Sequence, residues 1–133
     1  MKKPNLNNDW GREISNQLRT YLNLPPVARD ANAMFNTVIG DDKYLVTLEP
    51  AAQDDVALLS LFRKVDSFSV DHHLDNLLGE VGINKNLPAP VHVALKPPDT
   101  VVIMVRIHRK ASNQAVRYLD LLFSIYNNVE AGR

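Results

Sequence analysis

Apolar positions along this chain switch between two periods, and the switches outline its elements. Trp10, Ile14, Leu18 and Leu22 recur every fourth residue with Tyr21 beside them, which predicts an amphipathic helix. Asp9 stands where a carboxylate can cap the free N–H groups of the first turn. Pro25-Pro26 is expected to close the helix, because a proline disfavours helical geometry in the residue before it. The period then shortens to two. Ala33 to Ile39 and Tyr44 to Leu48 read as strands around a Gly40-Asp41-Asp42-Lys43 turn. Phe35, Thr37 and Ile39 share one face of the first, while Tyr44, Val46 and Leu48 oppose Leu45 and Thr47 on the second. Val56 to Val65 is a third apolar run, and its place after a hairpin favours a strand over a helix.

The longer period returns after residue 68. Ser69 or Asp71 can cap a second helix carrying Leu74, Leu77, Leu78 and Val81, with Gly82 as its expected terminator. Val91 to Leu95 and Val101 to Arg109 are two further strands around Lys96-Pro97-Pro98-Asp99-Thr100. Ser112 is expected to open a last helix through Val116, Leu119, Phe123 and Tyr126. The order is α-β-β-β-α-β-β-α. Strands grouped in hairpins predict a mainly antiparallel sheet packed with helices, an α+β fold. A chain of 133 residues fits one domain over 1–133, with 1–8 and 130–133 expected to be flexible.

Composition narrows the function classes. Fifteen basic residues balance fifteen acidic ones, so no global field draws the chain to nucleic acid or an anionic membrane. Cysteine is absent, which removes disulfides and thiolate chemistry and suits a reducing compartment. Met1-Lys2-Lys3 is followed by polar residues rather than the apolar core of a signal peptide, so the expected location is the cytoplasm.

Candidate chemistry is sparse. Asp71-His72-His73, with Asp75, could supply nitrogen and oxygen ligands to zinc or manganese, as a small metal-dependent hydrolase would need. The triplet matches the name-giving motif of the DHH phosphoesterases, but that family's other acidic motifs are missing. Adjacent helical residues also point about 100° apart, so the plainer reading is a helix start with Asp71 at the positive end of its dipole. His92 and His108 fall on strands of one hairpin with no acidic companion in register. Arg106-Ile107-His108-Arg109-Lys110 is the one basic cluster, and it alternates as a half-buried strand does. Glycine loops for phosphates and serine or zinc hydrolase motifs are absent, so no catalytic, cofactor-binding or metal residues are nominated. Large apolar groups on both faces of the Phe35 and Val56-to-Val65 strands instead suggest a surface that a partner covers.

The order of elements, the leucine-rich DNLLGEVG, the pair PVHVALKPPDTVVIMVRIHRK and the closing AVRYLDLLFSIYNN together resemble the class I type III secretion chaperones over Asp9 to Val129. Chaperones of that class are commonly acidic, whereas this chain is neutral. The resemblance implies a cytoplasmic bacterial homodimer, without enzymatic activity or cofactor, that binds the N-proximal segment of a secreted effector. It would keep that effector soluble and competent for secretion. The alternative is another non-catalytic dimeric adaptor or regulator. Implied dimer contacts are Leu74, Leu77, Leu78, Val81, Val91 and Val93. Effector contacts are expected from Trp10, Ile14 and Leu18 on the first helix and from Met34, Phe35, Tyr44 and Phe62 on the strands.

Overall fold

Alternation along the strands decides the architecture. In the computed structural model, which describes residues 6–28, 32–41, 43–53, 55–82 and 87–131, five strands form one antiparallel sheet. They are β1 (Phe35–Ile39), β2 (Tyr44–Pro50), β3 (Val56–Lys64), β4 (Val91–Lys96) and β5 (Thr100–His108), in the order β1-β2-β3-β5-β4. The helices are α1 (Asp9–Tyr21), α2 (Val70–Glu80) and α3 (Ala115–Ala131). The fold is α+β, with the element order read from the sequence. Register aligns Val46 with Leu61, Leu61 with Ile103, and Ile103 with Val93, so these four share one face. Ile14, Leu18, Leu77, Leu119 and Leu122 from the helices are fully buried with Val46, Leu61 and Ile103 in a single core. All three helices therefore lie on that face.

Tyr126 fixes the layers together. Its side chain is 1% exposed, and its ring lies 5.6 Å from that of Tyr44. The hydroxyl sits 3.1 Å from the Leu61 carbonyl and 3.0 Å from that of Val101, sharing its proton between β3 and β5. Burial pushes the phenol well above its ordinary range, because the anion would lose its hydration.

Local chemistry moves several boundaries. Asn8, not Asp9, caps α1: its side chain accepts the Gly11 N–H at 2.7 Å, and Asp9 lies in the first turn near the dipole's positive end. Pro25 does not end the helix. Asn23 takes a left-handed conformation (φ 60°), and Leu24 N–H reaches back to the Arg19 carbonyl at 2.7 Å while Asn23 N–H reaches Thr20. This paired closure satisfies the last carbonyls before the prolines are reached. Gly11 is required by proximity, since a Cβ there would lie 2.3 Å from the Leu6 carbonyl oxygen. Leu6 is itself fully buried, and the Asn7 side chain accepts the Ala33 N–H at 3.2 Å. Residues 6–8, expected to be flexible, are thus part of the fold, and α3 remains helical to Ala131.

The remaining boundaries shift by a few residues. Ser69 takes the cap position of α2 without a side-chain bond, and the helix stops at Glu80, ahead of Gly82. A 3-10 turn over Arg109–Gln114 occupies the place where Ser112 was expected to start α3. The His108 ring nitrogen accepts the Lys110 N–H at 3.1 Å at the head of this turn. Gly40 (φ 63°) and Asp41 (φ 56°) make the left-handed turn between β1 and β2; Asp42 lies outside the described residues.

Tyr126→Phe is expected to lower stability by about 1–2 kcal/mol in a denaturant titration, because two carbonyls lose a buried donor. An unfolded tyrosine ionises near pH 10, below the folded Tyr126. Its contribution is fully present below about pH 10 and is lost as pH climbs through the alkaline range. Stability of Tyr126→Phe is therefore expected to fall less steeply above about pH 10 than that of the native chain.

Candidate functional site

The helices leave the second face of the sheet uncovered, and its composition is that of a contact surface. Register places Val38, Leu45, Phe62, Val102 and Met104 on this face, with Ser60 between them. Val38 is 52% exposed; Leu45, Phe62 and Met104 are half-buried. A contiguous apolar patch without a covering layer marks a site of interaction. At one end it deepens into a cleft of about 390 Å³ lined by Met34, Asn36, Thr47, Glu49 and Phe62 together with the edges of Phe35 and Leu48. The Thr47 hydroxyl oxygen is buried there and has no hydrogen-bond partner among the described residues. β1 and β4 are the outer strands, each paired on one side within the sheet, so their outer backbone groups can accept a further strand.

The residues expected to contact an effector separate into distinct environments. Ile14 and Leu18 are fully buried and hold α1 to the sheet, so they present no surface. Trp10 is half-buried against the same core. Tyr44 points to the helical side, its ring edge-on to Phe123 at 5.6 Å. Phe35 faces that side as well, with the Arg19 guanidinium 5.1 Å above its ring. Met34, 38% exposed, and Phe62 meet at the cleft, where Phe35 also reaches its wall. Leu45 and Met104 complete the uncovered patch beside Val102, which is itself buried, and none of the three was singled out from the sequence. Their alternation was visible there; which of the two faces the helices would take was not.

The expected dimer residues gather at the other edge. Leu74, Val81, Val91 and Val93 are half-buried, Leu78 is 50% exposed, and Leu77 is fully buried beneath them. Val81 and Val91 line a shallow concavity of about 350 Å³ with Leu87, Ala89 and two prolines, Pro88 and Pro90.

The titratable candidates do not converge. The rings of His72 and His73 lie 6.3 Å apart and edge-on, with His73 buried and His72 exposed. His92 pairs across the sheet with Met104 and His108 with Val56, which puts them at different heights on the uncovered face. Among the described residues no three acidic or histidine side chains gather to hold a metal, and no helix is long and apolar enough to cross a membrane. Outside this face, the Tyr21 hydroxyl donates to Asp120 and joins α1 to α3, and that bond holds the phenol above its ordinary range.

No family model matches the chain, and no curated protein matches it. Among solved structures it is similar to the type III secretion chaperone SycH of Yersinia pestis, determined in complex with a stable fragment of YscM2. The TM-score is 0.62, covering 90% of this chain and 98% of that one at 14% identity. The chain shares that fold.

A paired substitution separates core from surface. Ile14→Asp is expected to cost more than about 3 kcal/mol, because a carboxylate would be buried without a partner. Val38→Asp is expected to stay within about 0.5 kcal/mol of the native chain and to reduce binding of a hydrophobic dye. Urea titration and dye fluorescence check both.

Proposed function

We propose that this chain is a non-catalytic type III secretion chaperone of the bacterial cytoplasm. It binds the N-proximal segment of a cognate effector and keeps that effector soluble and secretable. The observation that carries this reading is a five-stranded sheet with helices on one face, an apolar patch on the other, and two outer strands open to pairing. The fold shared with a chaperone solved holding a protein fragment supports it. An extended segment added to β1 would gain backbone hydrogen bonds, while the cleft at Met34, Phe35 and Phe62 would read its apolar side chains. Holding the segment extended needs no nucleotide. Binding a non-globular form shifts the partner's equilibrium toward it by mass action.

The working form is a homodimer through α2 and β4. Leu74, Leu78, Val81 and Val91 supply apolar surface, Val93 lies beside them, and Leu77 supports them from the core. A stable interface buries on the order of 1,600 Å² in total, which requires these residues and the proline-rich approach to β4 together. The sequence also resembles the chaperone that accompanies the AvrPphF effector of plant-pathogenic pseudomonads, which makes that effector a candidate cargo.

Co-expression with the product of the adjacent gene, followed by size exclusion with light scattering, tests the reading. The expected species holds two copies of this chain and one partner, bound through a protease-sensitive N-proximal segment. Phe62→Asp and Met34→Asp are expected to weaken it at least about tenfold without unfolding the chaperone. A monomer that retains no partner overturns the proposal.

A further inference from the structure

The balanced net charge conceals a separation between layers. The three helices carry seven carboxylates and three basic residues, whereas the five strands carry one carboxylate and four basic residues. Of those strand charges, Arg63 faces the helical layer. Among the strand residues the uncovered face therefore presents Lys64, Lys96 and Arg106 against one acid, Glu49, and Asp99 of the β4–β5 turn adds a second acid beside Lys64. His92 and His108 lie on the same face and carry no negative charge.

The charges are placed around the apolar patch rather than scattered. A second cleft, about 180 Å³, has a floor of Val38, Leu45 and Phe62 and is rimmed by Lys64, Lys96 and Thr100, with Lys43 and Tyr44 at its edge, where the Lys43 ammonium lies 5.5 Å from the Tyr44 ring. The Lys96 ammonium stands 5.9 Å from the centre of the Phe62 ring, over the floor. Lys64 lies 3.5 Å from Asp99, but Lys96 and Arg106 have no acidic partner among the described residues. Arg106 and His108 occupy the far end of the strand whose near end meets this rim. An apolar floor with Lys64 and Lys96 at one end, and with Arg106 in the same cross-strand row as Glu49 at the other, is cationic on balance and fits an apolar stretch that carries anions.

We infer that the polypeptide segment seated on the uncovered face is an acidic one, with carboxylates flanking its apolar residues. The inference rests on the protein-binding reading above and names the chemistry of the partner. Each exposed carboxylate–ammonium pair contributes a factor of about 1.5 to 5 in affinity at low salt. Two or three such pairs give a preference of about tenfold for the acidic segment over a neutral one. Because the pairs are exposed, the preference shrinks as added salt shortens the screening length.

The test uses the full chain and synthetic peptides followed by fluorescence anisotropy. Each peptide holds one apolar core, Leu-Val-Leu-Val-Leu, flanked on both sides by pairs of Glu, of Gln or of Lys. The Glu peptide is expected to bind about tenfold more tightly than the Gln peptide at about 20 mM salt, and the Lys peptide least. The preference should approach unity near 0.5 M salt, where the Debye length falls to roughly 4 Å. Lys64→Glu with Lys96→Glu, checked by circular dichroism for an unchanged fold, is expected to reverse the order of the Glu and Lys peptides. Equal affinity for all three peptides overturns the charge inference and leaves polypeptide binding standing. If no peptide binds while the co-expressed partner is retained, the segment sits elsewhere and the inference fails. A single-stranded oligonucleotide that competes as well as the Glu peptide also overturns it, because the face would then answer to negative charge alone. Loss of the co-expressed partner itself counts against the functional reading instead.

Discussion

One phenolic hydroxyl, that of Tyr126, sets the relation between helices and sheet. It reaches carbonyls on β3, the central strand of the sheet, and on its neighbour β5. A donor placed there holds α3 across the middle of one face, and α1 and α2 then pack to either side of it. Because the group is buried and neutral, its bonds need no counter-charge and are not weakened by salt. Among the described residues the layer of helices has no equivalent on the other side. One face is thereby committed to folding and the other is left open, and the separation of the expected effector-contact residues follows from that division.

Much of this was legible in the chain itself. A four-residue spacing from Trp10 to Leu22, alternation in the first hairpin and the place of the apolar run Val56 to Val65 after it sufficed, with the second hairpin, for the element order and the antiparallel sheet. What escaped depended on contacts distant in sequence. Ile14 and Leu18 read as part of a stripe expected to meet an effector, whereas the packing of α1 on the sheet buries both in the core. Asn8 caps the helix because Gly11 closes against residue 6, a contact that the capping preferences of Asp and Asn do not distinguish. The end of α1 was assigned to proline, the strongest local signal, whereas Asn23 in a left-handed conformation acts first. At Phe35 and Phe62, the same residue type in the same kind of strand lies on opposite faces, and no local pattern separates them.

Charge was legible only as a total. Equal numbers of acidic and basic residues argued against a directing field, and that holds for the molecule seen from afar. At the distance of a docked segment the two layers differ in sign, since the screening length at physiological salt is only about 8 Å. A partner on the sheet therefore meets Lys96 and Arg106 at closer range than the carboxylates of α2, which lie on the other layer. Folding and recognition draw on the same strands but answer to different parts of the electrostatic picture.

The alternation of side chains has an evolutionary corollary. In β3, Leu59 and Leu61 face the core, while their neighbours Leu58 and Phe62 face outward. Each strand thus carries two interleaved sets of positions, and exchange within the outward set need not be compensated by the inward one. A lineage can retune what this face recognises by substitutions that never pass through an unfolded protein. Cargo preference can then drift faster than architecture, and chains that share this shape need share few residues.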